Sequence, residues 1–211
     1  RLVPKYPLPI YSTIIEPFAG SAGYSTRYYN KNIILYDINE KICGVWDYLI
    51  KVSEEELLSL PVDFNHIDEI NCSQEAKWLI GFWLGRARYV PGKTYSKWNE
   101  DPHTSNWRTT GKKRCIEQVK YIRHWKIFNK SYDSVENSNA TWFIDSPYDN
   151  AAGKMYACKF NDYDNLAKWS KDRNGQVIVC ENEGAKWLDF KNLSESRSCV
   201  RKSVEVFWTK S

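Results

Sequence analysis

The sequence predicts an α/β fold with a mainly parallel sheet, because short apolar, β-prone runs alternate with amphipathic helical stretches along the chain. Such alternation favours right-handed crossovers between parallel strands. A second indication is that several apolar runs end in acidic or turn-forming residues, as strands do where they leave a sheet. The predicted strands occupy residues 13–17, 33–37, 125–129, 140–144, 176–180 and 201–209, the last as the second strand of a closing hairpin.

Helices are predicted from capping residues and from apolar residues at helical spacing. Ser53, with Glu56 three positions later, forms a capping box, and Pro61 marks the end of that helix. Tyr24, in the first predicted helix, is expected in the core, with contact to a cofactor as the alternative. The predicted helices occupy residues 22–30, 39–51, 53–61, 73–83, 112–123 and 162–173.

The composition suits one globular domain with an elaborate insertion, since 42% of the 211 residues are hydrophobic. No apolar run approaches the length of a membrane-spanning helix, so a membrane protein is not expected. The six cysteines are spread along the chain without a C-x-x-C pair or a nearby His cluster. Neither a metal site nor a disulfide framework is therefore expected, and reduced thiols in the cytoplasm are the default.

The net charge of +4 conceals an asymmetry along the chain. Residues 77–130 contain 13 basic and 3 acidic side chains, whereas the remainder contains 17 basic and 23 acidic ones. A basic segment within an acidic domain is typical of an element that binds a polyanion, with a solvated charged face as the alternative. We therefore expect a main domain, residues 1–76 and 127–211, and a basic, aromatic-rich insert, residues 77–126.

Helical periodicity disappears between residues 86 and 110, where cations alternate with aromatic residues. A long irregular loop inside a compact domain is usually functional or disordered. Cations neutralise phosphates and aromatic side chains can wedge into a duplex, so this stretch predicts a nucleic-acid contact. The basic start of the next helix is unfavourable to the helix dipole unless an anion binds there. The residues predicted to contact DNA are Arg86, Arg88, Lys93, Lys97, Trp107, Arg108, Lys112, Lys113 and Arg114.

The stretch most suggestive of chemistry is Asp145-Ser146-Pro147-Tyr148, which follows the apolar run 140–144. In open α/β sheets, ligands bind at the carboxyl ends of strands. The stretch offers a hydrogen-bond acceptor at Asp145, a backbone carbonyl stiffened by Pro147 and a flat stacking surface at Tyr148. These features suit a planar ring that bears an amino group. Ordinary turn chemistry is the alternative, since Asp, Ser and Pro all favour turns.

Two upstream stretches favour a functional site at residues 145–148 over an ordinary turn. Residues 14–23 read as a strand, a glycine-containing turn and a helix start, which is how backbone is brought close to a nucleotide-like cofactor. Asp37 ends the next apolar run, at the place of the carboxylate that takes ribose hydroxyls in a β-α-β nucleotide site.

These motifs resemble those of the Dam-like DNA adenine methyltransferases, especially small phage-borne members. The resemblance is carried by Glu16-Pro17-Phe18-Ala19-Gly20-Ser21-Ala22-Gly23, Asp37-Ile38-Asn39 and Asp145-Ser146-Pro147-Tyr148, and it covers most of the chain in order. It implies a Rossmann-like, seven-stranded, mostly parallel sheet with an antiparallel end. The basic insert would be the target-recognition region, and the remainder the catalytic domain.

The resemblance also implies roles for single residues. Asp145, Ser146, Pro147 and Tyr148 would receive a flipped adenine, and S-adenosylmethionine would be the cofactor. The implied cofactor-binding residues are Phe18, Ala19, Gly20, Ser21, Ala22, Gly23, Asp37, Ile38, Ser131 and Tyr132.

Three positions depart from the family pattern. Ser146 stands in place of the first of two prolines in the catalytic motif. Ala22 stands where the cofactor loop often has Gly, and Ser131 where Asp is common. The family's lysine-bearing cofactor segment should precede Arg1, so we expect the sequence to be part of a longer chain.

The expected function is therefore transfer of a methyl group to the exocyclic amine of adenine in double-stranded DNA, without a metal and away from membranes. Methylation of the exocyclic amine of cytosine is a closely related alternative, because the same pair of acceptors suits either base. A catalytically weak, DNA-binding homologue is the alternative from another class, prompted by Ser146, Ala22 and Ser131.

Overall fold

The computed structural model describes residues 5–84, 90–101, 103–149, 158, 160–197 and 202–211. The chain divides into two compact units. The first, which we call the sheet unit, comprises residues 1–39 and 125–211, and the second, the helical unit, comprises residues 40–124.

The sheet unit contains a seven-stranded sheet in the order β3-β2-β1-β4-β5-β7-β6. Strands β1 to β5 are parallel, and β7 runs antiparallel between β5 and β6. The order of β1 to β5 is that of a doubly wound Rossmann sheet. The expected seven-stranded, mostly parallel sheet with an antiparallel end is thus confirmed. The strands are β1 Thr13–Glu16, β2 Asn32–Asp37, β3 Lys126–Asn129, β4 Ala140–Ile144, β5 Gly175–Asn182, β6 Lys191–Arg197 and β7 Lys202–Lys210; β6 was not predicted.

Both faces of the sheet are covered, which explains why β4 is buried throughout. On one face, Trp142 packs in a core with Leu166 of helix α7 (Tyr163–Asp172). On the other, Phe143 lies between Tyr6 and Tyr24, whose rings are 5.2 and 4.3 Å from it. Tyr24, in the short helix α1 (Gly23–Arg27), is fully buried, so its prediction as a core residue is confirmed.

The helical unit contains helices α2 to α6. The Ser53 side chain accepts a hydrogen bond from the Glu56 amide, which is one of the two bonds of the predicted capping box. The Ser73 side chain caps α4 by accepting from the Ala76 amide. The helices are α2 Glu40–Lys51, α3 Glu54–Ser59, α4 Gln74–Phe82, α5 Lys97–Glu100 and α6 Lys112–Gln118.

The helical unit begins earlier than the insert expected at residues 77–126. Helices α2 and α4 pack together, and at Gly44 an added Cβ would lie 2.7 Å from the Trp78 ring. This close contact places the segment from Glu40 onward with the basic segment rather than with the sheet. In the described part of the chain, no helix is both long and apolar enough to cross a membrane.

The contact between Gly44 and Trp78 gives a test of this packing. In a helix without tertiary contacts, Gly→Ala stabilises by roughly 0.5–1 kcal/mol. Because the new methyl group would collide with Trp78, we expect Gly44→Ala to lower the free energy of unfolding, since overpacking typically costs about 1–3 kcal/mol. Urea unfolding measures the change. In the Trp78→Leu background the same substitution should become neutral or stabilising; a destabilisation of equal size there would contradict the packing described.

Candidate active site

Two motifs distant in the chain emerge side by side because β1 and β4 are neighbours in the sheet. The strands are parallel, with Ile15 opposite Trp142. The turn that begins at Pro17 and the turn that begins at Asp145 therefore leave the sheet at the same carboxyl edge. This edge lies where the strand order reverses direction, which is the position of ligand sites in open α/β sheets.

The turn after β1 is built on two left-handed residues. Gly20 has φ 44° and Ala22 has φ 46°. A left-handed conformation costs an L-residue roughly 1–2 kcal/mol, whereas glycine adopts it freely. Ala22 thus takes the backbone conformation for which glycine is the usual residue.

Asp37, at the end of β2, is bonded to this turn. Its carboxylate accepts hydrogen bonds from the Gly20 amide at 3.0 Å and from the Asn39 amide at 2.8 Å. Burial raises the pKa of Asp37, and these amides oppose the shift. Ile38 beside it is 52% exposed, so an apolar surface is available next to the carboxylate.

Aromatic rings stand next to the turn. The Phe18 ring stacks on that of Tyr132 at 5.3 Å, and the Phe160 ring contacts both from the side at 5.7 Å. Asn165 in α7 donates to the Tyr132 hydroxyl at 3.1 Å. Ser131 precedes this group, and its carbonyl accepts from the Ser134 amide at 3.1 Å. Phe18, Ser131 and Tyr132, predicted from widely separated stretches to bind one cofactor, are therefore near one another.

Asp145 combines access to solvent with a crowded surrounding. Its side chain is exposed, yet burial among protein atoms is the main cause that raises its pKa to about 6. The nearby charges of Glu205 and Glu181 add to the shift, and the Tyr148 hydroxyl opposes it. Asp145 is therefore mainly ionised at neutral pH and becomes protonated in mild acid.

Hydrogen bonds hold the turn that follows. Tyr163 donates to the Pro147 carbonyl at 2.9 Å, and Glu181 accepts from the Asp149 amide at 3.0 Å. The Tyr148 hydroxyl donates to Glu205 at 2.6 Å. Ser146 is 1% exposed, and its hydroxyl has no hydrogen-bond partner among the described residues.

Sequence reasoning missed two of these partners, Tyr163 and Glu205. Tyr163 opens an ordinary amphipathic helix, and Glu205 is one polar position in an alternating strand. The only signal in the sequence was the alternation of polar and apolar residues in the strand predicted at 201–209. This alternation does not show what a buried glutamate contacts.

Glu16 ends β1 as a fully buried carboxyl group. It is 2% exposed and accepts a hydrogen bond from the Ser25 amide at 2.6 Å. Burial raises its pKa to about 8, the Ser25 amide opposes the shift, and the charge of Asp145 adds to it. Despite these acids, the described residues contain no group of three or more His, Cys, Asp or Glu suited to a metal ion.

The cations predicted to contact DNA are largely engaged within the helical unit. Lys93 pairs with Asp68 at 3.0 Å, Arg108 with Asp63 at 2.9 Å, and Lys113 with Glu117 at 3.8 Å. The Lys112 ammonium donates to the carbonyls of Leu58 and Leu60 at 2.7 and 2.6 Å. Lys97 and Arg114 are exposed, and Arg86 and Arg88 lie outside the described residues.

The prediction that Trp107 contacts DNA is wrong. Its side chain is fully buried, and its indole N–H donates to the Pro61 carbonyl at 2.9 Å. A ring held in a core cannot wedge into a duplex. The charge of the region also changes with its boundary, because residues 40–124 contain 13 basic and 12 acidic side chains.

No family model and no curated protein matches the sequence. Among solved structures, a protein from Pseudomonas syringae provisionally described as a methyltransferase is 9% identical, with a TM-score of 0.43 over 99% of this chain and 94% of that one. A provisionally described methyltransferase from Escherichia coli is 7% identical, with a TM-score of 0.37 over 92% and 73%. A provisionally described methylase from Haemophilus influenzae is 10% identical, with a TM-score of 0.37 over 92% and 77%. At these values, we transfer no activity or substrate from those proteins to this chain.

The raised pKa of Glu16 predicts how stability depends on pH. An unfolded glutamate ionises near 4.5 and folded Glu16 near 8, so the folded state binds the extra proton between these values. The free energy of unfolding therefore falls as the pH rises through this window. Glu16→Gln, which keeps an acceptor for Ser25, should reduce that fall by a few kcal/mol, at about 1.4 kcal/mol per pKa unit.

Urea unfolding at several pH values measures the effect. Part of the slope should remain in the variant, because burial also raises the pKa values of Asp37, Asp145 and Glu181. An unchanged slope in Glu16→Gln would mean that Glu16 ionises normally in the folded protein.

Proposed function

We propose that this protein is an S-adenosylmethionine-dependent DNA methyltransferase that modifies the exocyclic amine of an adenine flipped out of the duplex. One observation carries the proposal: the glycine-containing turn after β1 and the Asp145 turn after β4 leave adjacent parallel strands at one sheet edge. A cofactor held by the first turn and a base held by the second would be close enough to react.

The residues around the first turn fit this cofactor. The left-handed turn at Gly20 and Ala22 is hydrogen-bonded to Asp37, whose carboxylate would accept hydrogen bonds from the ribose hydroxyls. Ile38 and the Phe18 and Tyr132 rings offer apolar surface for an adenine ring. S-adenosylmethionine, when bound, supplies a methyl group on a positively charged sulfur.

The residues around the second turn meet the needs of an aromatic amine. Such an amine is a weak nucleophile because its lone pair is delocalised into the ring. The Asp145 carboxylate and the Ser146 backbone carbonyl would accept its two hydrogens, which favours a pyramidal nitrogen and stabilises the positive charge that grows during attack. Bound S-adenosylmethionine would supply the methyl group for the new N–C bond, and the electron pair of the broken C–S bond would remain with sulfur. Asp145 would accept the surplus amine proton.

Extrusion of the base has an energetic cost that Tyr148 would partly offset. Flipping costs a few kcal/mol. Stacking of the base on an aromatic ring returns about 1–3 kcal/mol. Tyr148 is only partly buried, which leaves ring surface available, although its hydroxyl is bonded to Glu205.

Asp145→Ala tests the catalytic role. The variant loses the charged acceptor, so we expect transfer of labelled methyl to unmethylated duplex DNA to fall at least about 100-fold, as when other electrostatic contacts to a transition state are removed. Cofactor affinity, measured by calorimetry, should persist because the first turn is unchanged. Asp189→Ala, at an exposed position of the sheet unit, is the matched control.

Nucleoside analysis of the treated DNA separates the related functions. Methylated adenine supports the proposal, whereas methylated cytosine would move the activity to the alternative base. DNA binding by the wild-type protein without transfer to either base would identify it as the catalytically weak homologue.

Phosphate contacts by the helical unit are part of the same proposal. Four exposed cations there form no ion pair in the described part of the chain. Lys120 contacts the Tyr121 ring and Arg123 donates to the carbonyls of Ile50 and Val52, which leaves Lys97 and Arg114 as the candidates. If both neutralise phosphates, Lys97→Ala with Arg114→Ala should reduce the slope of log affinity against log salt by about 2, at roughly 0.9 per phosphate. Fluorescence anisotropy with duplex DNA measures the slope. Lys51→Ala, which removes a lysine paired with Asp47 at 2.7 Å, should not alter the slope. Equal slopes in the wild type, the double variant and Lys51→Ala would mean that the DNA does not contact Lys97 and Arg114.

A further inference from the structure

The turn Pro147–Asp149 is held by side chains from three different elements. Tyr163 of α7 reaches the Pro147 carbonyl, Glu181 of β5 reaches the Asp149 amide, and Glu205 of β7 reaches the Tyr148 hydroxyl. Of these three contacts, only the last acts on a side chain that the proposed function uses.

Glu205 is built into the sheet rather than into a loop. It lies in β7 opposite Asn182 of β5 and is 6% exposed. One of its oxygens, Oε1, accepts hydrogen bonds from the hydroxyls of both Tyr6 and Tyr148 at 2.6 Å. Burial raises the pKa of both tyrosines far above the usual range, so both remain donors. The bond from Tyr6 holds the Glu205 oxygen in place, and the bond from Tyr148 to that oxygen restrains the hydroxyl end of the Tyr148 ring.

The Tyr148 hydroxyl is also near Asp145. It is close enough to oppose the rise in the pKa of Asp145. A hydroxyl has a single proton to donate, however, and the 2.6 Å separation identifies Glu205 as the acceptor.

We infer that Glu205 is a positioning residue of the methyl-transfer site, which fixes the Tyr148 ring in the orientation that receives the flipped base and sets the charge around Asp145. The inference rests on the proposed function, for which Tyr148 is the stacking surface. Glu205 does not itself touch the base. It acts through the Tyr148 hydroxyl and through its charge.

Several groups act on Asp145 electrostatically. The charges of Glu205 from β7 and Glu181 from β5 raise its pKa, and Tyr148 opposes the shift. Asp145 in turn acts on Glu16 of β1 and on Cys180 of β5, whose thiol pKa burial holds well above its usual range. Removal of the Glu205 charge should therefore make Asp145 a stronger acid.

Two substitutions of Glu205 separate its two effects. Glu205→Gln keeps an oxygen acceptor for Tyr148 but removes the charge. We expect its kcat at neutral pH to stay within about threefold of wild type, because the ring remains fixed. In a plot of kcat/KM against pH, ionisation of Asp145 should produce an acidic limb near pH 6 in the wild type. In Glu205→Gln this acidic limb should move to lower pH.

Glu205→Ala removes the acceptor itself. We expect kcat to fall about 10- to 100-fold, as for other small displacements of positioned groups, with the KM for S-adenosylmethionine unchanged. Tyr148→Phe, which keeps the ring but loses the hydroxyl, should cause a similar loss. The double variant should be no slower than either single variant, because both changes break the same contact.

Calorimetry of S-adenosylmethionine binding shows whether each variant retains its fold and its cofactor site. Glu136→Gln, at an exposed position of the sheet unit, is the matched control. Multiplicative losses in the double variant, or an acidic limb that stays in place in Glu205→Gln, would overturn the inference while the proposed function stands. Absence of methyl transfer by the wild-type protein would instead overturn the proposed function.

Discussion

The parallel pairing of β1 with β4 is the constraint on which the candidate site depends. These strands lie side by side at the centre of the sheet, although more than a hundred residues separate them in the chain. From β1 the sheet continues through β2 to β3, and from β4 it continues through β5, so the connections leave in opposite directions. The carboxyl ends of β1 and β4 therefore border a crevice that no connection has to cross.

Carboxyl groups are concentrated at this edge, and neutral donors satisfy them. Glu16 accepts from a backbone amide, Glu181 from amides and the Trp187 indole, and Glu205 from two tyrosine hydroxyls. Within the described residues, none of these three glutamates, nor Asp145, forms an ion pair. Burial is the main cause that raises the pKa values of Glu16, Asp145 and Glu181. Those carboxylates at the edge that are ionised have no cationic partner in the part of the chain that the structure describes and leave a negative potential there. Such a potential suits a positively charged ligand, and the proposed sulfonium cofactor is one.

Local signals in the sequence predicted the elements but not the long-range contacts. Strand β4 and the caps at Ser53 and Ser73 follow from short-range patterns, because their stabilising interactions lie within a few residues. Trp107 and Arg108 lie in a stretch that reads as irregular and basic. Their partners, Pro61 and Asp63, are more than forty positions upstream. The composition of a short stretch gives its number of charges but does not show which of them are already paired. The contacts of Glu205 were also not predictable from local sequence, because its hydrogen-bond partners, Tyr6 and Tyr148, are distant in the chain.

The turn at Ser146 shows how tertiary contacts can supply the stiffness that a proline would give locally. A proline would stiffen the turn by fixing φ and removing unfolded conformations. Here, the three residues that follow Ser146 are instead each bonded to a buried or half-buried side chain of α7, β5 or β7. Stiffness of this kind depends on the whole sheet, because β7 must pair with β5 before Glu205 reaches Tyr148. The antiparallel end of the sheet, far from the turn after β1 in sequence, thus becomes part of the candidate active site.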